Sequence, residues 1–196
     1  MDLLPLVFTS GWASGINAYA VVLVMGLCGR FAGVDGVPAG LTHTDVLVAA
    51  AVMYAIEFVT DKIPYVDSGW DVISTVIRPS VGAIIGLLVA GDASNLHQAW
   101  YAVAGGGSAL ASHLVKAGLR LAVNASPEPV TNVTVSLGED LTVAGVITLA
   151  LWHPWIALGI ATVLFVAGVT LVLVLLRWVR RGLRGWGARR TTPAGS

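Results

Sequence analysis

Residues 141–176, LTVAGVITLALWHPWIALGIATVLFVAGVTLVLVLL, run for 36 positions without a charged side chain. As one helix they would extend about 54 Å at 1.5 Å per residue. The hydrocarbon of a bilayer is only about 30 Å thick. His153-Pro154 is the natural dividing point, because proline lacks a backbone donor and clashes with the preceding turn. The stretch reads either as two crossings or as one crossing preceded by a re-entrant segment at 141–153. Both readings make the chain an integral membrane protein.

The rest of the chain agrees. Of its 196 residues 56% are hydrophobic and only 11% charged, with a mean hydropathy of +0.82. Soluble domains carry about 25% charged residues. Leu3–Gly29 and Ala93–Val115 are also charge-free and of spanning length. The predicted fold is an all-α integral membrane domain over 1–178 with about six transmembrane helices, some short or broken. The spans are expected near 3–28, 45–62, 77–91, 96–122, 140–153 and 155–177, with breaks at Pro64, Pro79 and Pro154. A basic, disordered cytoplasmic tail is expected over 179–196. The early Asp2 does not suit a cleavable leader, whose first region is positive. Cys28, the single cysteine, allows no internal disulfide.

Basic residues suggest an orientation. With six spans and a cytoplasmic N-terminus, Lys62, Arg78, Lys116, Arg120 and six arginines from Arg177 to Arg190 fall inside, and only Arg30 falls outside. Cytoplasmic loops concentrate Lys and Arg, so both termini are expected in the cytoplasm, with the protein in a cell's inner membrane.

A faint internal echo pairs Gly11-Trp-Ala-Ser14-Gly15-Ile16 with Gly105-Gly-Gly-Ser108-Ala109-Leu110. A second echo pairs Asp45-Val-Leu-Val48-Ala49 with Asp140-Leu-Thr-Val143-Ala144. Two inverted three-helix repeats, 3–91 and 96–177, would produce it, as in many secondary transporters. Chance matches in a chain rich in Ala, Gly and Val would do so too.

Polar residues at bilayer depth are costly and mark candidate sites. Glu57, Asp61, Lys62, Asp67, Asp71 and Arg78 place four carboxylates against two cations. Glu57 follows eleven uncharged residues, so it is the deepest and the first choice for a proton- or cation-coupling group. Four-residue spacing puts Glu57 with Asp61 on one helical face. A charge-paired interfacial helix is the plainer reading of the same residues. Ser14 and Asn17 with Gly11 and Gly15, and Ser108 and Ser112 with Gly105–Gly107, suggest either tight helix packing or broken helices lining a polar path. His113, Lys116 and Arg120 share a face that can meet the acidic cluster; the plainer reading of Lys116 and Arg120 is a solvated or snorkelling helix end.

Zinc-protease, nucleotide-loop and serine-elbow motifs are missing from the sequence, so no enzyme activity and no cofactor are expected. Expected partners are the lipid bilayer, a further copy of the chain, and a small cation or proton. No nucleic acid is expected, and the sequence leaves any metal site unspecified.

Two stretches together carry a resemblance: Gly11-Trp-Ala-Ser-Gly-Ile-Asn-Ala-Tyr19, and Glu57-Phe-Val-Thr-Asp-Lys-Ile-Pro-Tyr-Val-Asp-Ser-Gly-Trp-Asp71 followed by Arg78-Pro79. They resemble the bacterial membrane family catalogued as domain of unknown function 4126, up to about Leu176. The resemblance implies a bacterial membrane protein and transfers no catalytic role. Glu57-x-x-x-Asp61-Lys62 is also similar to the Glu-x-Gly-Asp-Lys/Arg-Thr/Ser element of small cation exchangers, with one more residue between the acids and no glycine. The leading expectation is therefore a small ion- or proton-coupled secondary transporter. The alternative is a non-transporting assembly factor, lipid-binding subunit or structural partner of a membrane complex.

Overall fold

The computed structural model describes residues 3–63, 65–124 and 129–190. They form α1 (Leu3–Phe31), a 3-10 turn (Ala39–Thr42), α2 (Thr44–Thr60), α3 (Val66–Ala90), α4 (Asn95–Asn124), α5 (Pro129–Trp152) and α6 (Pro154–Arg190). No strand occurs among the described residues. Four helices are long and apolar enough to cross a membrane: α1, α3, α5 over Val130–Trp152 and α6 over Pro154–Trp178. This is the all-helical makeup of a membrane protein. α2 has only 17 residues. α4 has 30, but Ser108, Ser112, His113, Lys116 and Arg120 lower its hydropathy, and all five are buried.

α1 is the hub. A helix apolar all round belongs in an interior, and α1 touches every other helix while burying Leu6, Val7, Trp12, Ala13, Val21 and Met25. Close contacts give the helix directions. A Cβ on Gly11 would strike Gly105 and Ser108, and one on Gly15 would strike Ala109 and Ser112, so α1 and α4 run in parallel. Gly82 meets Gly105 while Gly86 meets Tyr101, which sets α3 antiparallel to α4. Lys116 pairs with Glu139 and Arg120 with Asn132, so α5 is antiparallel to α4 as well. Gly168 lies on Val115 and Gly118 on Val172, making α6 parallel to α4. An inverted repeat needs α1 and α4 to point in opposite senses, and they do not.

Several expectations about boundaries are corrected. Pro79 does not end a helix but lies inside α3, which starts at Val66 rather than 77. In membranes neighbouring helices re-satisfy the backbone group that a proline frees, and α4 packs on Pro79 through Gly106. The Gly105–Gly107 run does not break α4. Packing outweighs weak propensity, and Gly105 and Gly106 are where neighbouring backbone comes closest. α5 starts at Pro129, not 140, with proline at the first helical position where its missing donor costs nothing. Trp152 and Pro154 do bracket the break at His153. α6 continues to Arg190, through the first part of the segment read as a disordered tail. Pro64 lies outside the described residues.

Candidate functional site

Asn17, the midpoint of the 29-residue α1, has extended backbone (φ −149°, ψ 97°) and divides the helix into two halves. Its Oδ1 accepts the Ala20 N–H at 2.9 Å, capping the second half, while its Nδ2 donates to Asp140 Oδ1 at 3.0 Å. The first half ends on carbonyls that face cations. Arg78 Nη1 donates to Gly15 O at 3.4 Å and Lys116 Nζ to Ile16 O at 2.9 Å. Helix C-termini carry partial negative charge and N-termini partial positive charge. The break therefore sets each half against side chains of the sign it favours. Asn17→Ala is expected to cost about 1–2 kcal/mol, read as a lower melting temperature in detergent. A wild-type melt would mean that packing alone holds the break.

Two guanidinium groups organise the charges around this break. Arg78 is 1% exposed and reaches Glu57 Oε1 at 2.5 Å, Asp71 Oδ1 at 3.1 Å and His113 Nδ1 at 2.8 Å. Thr75 Oγ1 lies 2.9 Å from the other nitrogen of that ring. Arg120 donates to Asp61 O at 2.6 Å and Asn132 Oδ1 at 3.2 Å, and pairs with Asp61, Asp67 and Glu139 at 3.3, 3.4 and 2.6 Å. Lys116 links the groups through Asp61 at 2.7 Å and Glu139 at 3.4 Å. At the rim, Lys62 lies over the Phe58 ring, bonds Ser136 Oγ at 3.3 Å and approaches Asp140 at 3.9 Å.

The structure thus brings Glu57, Asp61, Lys62, Asp67, Asp71, Arg78, His113, Lys116 and Arg120 into one network beside Asn17. The helix face bearing His113, Lys116 and Arg120 is interior, not a solvated end. Three sequence candidates stand apart. Ser112 donates to Trp12 O at 2.6 Å, tying α4 to α1. Ser108 bonds Gly105 O in its own helix, and Ser14 Oγ has no hydrogen-bond partner among the described residues. Asn132, Ser136, Glu139 and Asp140 were missed by sequence reasoning. Their spacing is a helical stripe, visible only if residues 129–140 are read as helix rather than loop.

Six carboxylates (Glu57, Asp61, Asp67, Asp71, Glu139, Asp140) meet four cations (Lys62, Arg78, Lys116, Arg120), a formal excess of two negative charges when every group is ionised. Buried Glu57 Oε2 and Asp61 Oδ1 accept no hydrogen bond among the described residues. A cavity of about 240 Å³ between α1, α4, α5 and α6 touches the network at Lys116 and Glu139. Another, of about 150 Å³, touches it at Asp71 and Thr75. Glu57 lines neither. Among the described residues no group of three or more His, Cys, Asp or Glu is placed to hold a metal ion.

A family profile described as Domain of unknown function (DUF4126) matches residues 4–174. No curated protein and no solved structure matches the chain.

Proposed function

This chain belongs to the DUF4126 family, whose description assigns no activity, and from its own geometry we propose a small secondary transporter coupled to protons or cations. The observation that carries the reading is the break at the middle of α1, beside which lies a charge network richer in carboxylates than in cations, touching one cavity at Glu139 and another at Asp71. A broken helix whose half-helix ends face ions is how many transporters build a midplane site. Buried carboxylates with an excess of two charges favour uptake of a proton or another cation. A cation arriving at Asp71 or Glu139, the two carboxylates that line cavities, would compete with Arg78 or Arg120 and let the network re-pair. Titration belongs to the coupled group rather than to one residue.

The helix directions support a five-crossing topology made by α1, α3, α4, α5 and α6, with α2 entering only half-way to deliver Glu57. Leu47 lies by Gly26, and Glu57 is one guanidinium from Gly15, so α2 descends along α1 and stops at its middle. In this arrangement Arg30 and the tail arginines share the cytoplasmic face, and no basic residue remains on the outer one. Arg78, Lys116 and Arg120 drop out of the loop count because they are interior. The N-terminus would then be outside and the C-terminus inside a cell's inner membrane. Terminal reporter fusions in cells check this, and matching signals from both ends would overturn it. Val48, Val52, Ile56 and Val59 of α2 form an exposed apolar row that suits lipid or a second copy of the chain.

A non-transporting structural role is favoured by one observation: Arg78, Lys116 and Arg120 each have several partners, as a static strut also requires. Liposomes carrying the purified protein and an imposed pH gradient separate the readings. A panel of monovalent cations and protonated amines is added, and dye fluorescence follows the gradient. At least one cation is expected to collapse the gradient, and Glu57→Gln and Asp61→Asn to abolish the effect. Unchanged collapse in both variants would remove these carboxylates as coupling groups.

A further inference from the structure

We propose that the cavity beside Glu139 binds a small organic cation, a protonated amine carried on a compact apolar body. This deepens the transporter reading by naming its substrate class, and rests on that reading only in treating the ligand as cargo.

The cavity holds about 240 Å³, below the roughly 300–1,000 Å³ of sites for drug-sized molecules. A compact ligand fits it. Trp12, Leu119, Leu164 and Phe165 provide apolar and aromatic walls, and Ser112, Thr142, Lys116 and Glu139 the polar part.

Hydrogen bonding selects the sign of the ligand. An ammonium has three protons to give. Those of Lys116 are taken by Ile16 O, Asp61 Oδ2 and the nearby Glu139 Oε2. The Ser112 and Thr142 hydroxyl protons go to Trp12 O at 2.6 Å and Gly138 O at 2.7 Å. None of these three side chains has a donor left for an anion, which leaves the Trp12 indole N–H as the one other side-chain donor in the lining. Glu139, by contrast, receives both Lys116 and Arg120 on Oε2, which leaves Oε1 uncommitted among the described residues. At 16% exposure its side chain is the most accessible of the six network carboxylates. An incoming ammonium donates to Oε1 and offsets part of the two-charge excess. The lining also holds two aromatic residues, Trp12 and Phe165, a residue type whose ring face attracts cations. A neutral hydrocarbon would cover the carboxylate without any such return.

The test is calorimetric titration of the purified full chain at pH 7 with three probes of one shape: phenethylamine, phenethyl alcohol and phenylacetate. The amine is expected to bind about tenfold or more tightly than the alcohol, and phenylacetate to give no signal. Glu139→Gln should weaken amine binding about tenfold. Because that variant also removes an Arg120 partner, Thr142→Leu serves beside it. Leucine fills the cavity from α5 without touching an ion pair, so binding should vanish while the melting temperature is kept. Equal affinity for amine and alcohol, preference for phenylacetate, no binding of any probe, or unchanged binding in Thr142→Leu overturns the proposal. Repeating the titration in nanodiscs with and without phosphatidylethanolamine identifies the source. Competition assigns the ammonium site to a lipid headgroup, and its absence assigns it to a free amine. Proton flux in liposomes judges the transport reading separately, since binding requires no translocation.

Discussion

Replacing Arg120 by leucine is expected to destabilise the protein by about 3–5 kcal/mol, the cost of stripping one partner from buried charges. Arg120 is 1% exposed and meets Asp61, Asp67 and Glu139, as well as Asn132 Oδ1 and the Asp61 carbonyl. Lys116 still holds Asp61 in the variant, but it reaches Glu139 only at 3.4 Å. The local excess rises from two negative charges to three. Folded proteins have a margin of only about 5–15 kcal/mol, so low yield and a melting temperature many degrees down in detergent are expected. Arg120→Lys should fall between, because an ammonium cannot reproduce the planar fork that serves Nη1 and Nη2 partners together. Adding Glu139→Gln to the leucine variant should restore part of the loss, since it removes a stranded charge. A leucine variant that melts like the wild type would show that the network is not assembled around Arg120.

The second large effect is steric. A Cβ at Gly15 would overlap Ser112 Oγ and the Ala109 carbonyl, and the latter is backbone that cannot rotate away. Gly15→Val is therefore expected to push α1 off α4. Overpacking usually costs about 1–3 kcal/mol, and here the strain is transmitted to the break at Asn17 and to Ser112, which bonds Trp12 O. Loss of a monodisperse gel-filtration peak is the expected readout. Gly107 supplies the contrast, because a Cβ added there would meet no atom within 4 Å. Gly107→Ala should raise the melting temperature, as alanine gains up to about 1 kcal/mol over glycine inside a helix. If both variants behave alike, the close α1–α4 crossing is wrong.

Much of the site could be read in advance because its residues announce themselves locally. Glu57, Asp61 and Lys62 stand out against hydrocarbon, and Gly11, Gly15 and Asn17 mark a weak point in an apolar helix. Glu139 and Asp140 failed to stand out for the same reason that Pro79 misled. A charge or a proline is read as an end when its partners are out of view. Glu139 is mid-helix because Arg120 neutralises it from α4, and Pro79 is mid-helix because α4 packs against that turn.

Membrane class, helical makeup and the presence of an acidic cluster follow from composition and hydropathy, which are sums over neighbouring residues and need no fold. Which carboxylate meets which cation, the parallel sense of α1 and α4, and the cavity at Glu139 rather than Glu57 were decided only in three dimensions. A buried charge is tolerated or expelled according to what lies within a few ångströms of it. In this chain the partner lies 7 positions away along the sequence for Arg78 with Asp71, and 123 positions away for Asp140 with Asn17.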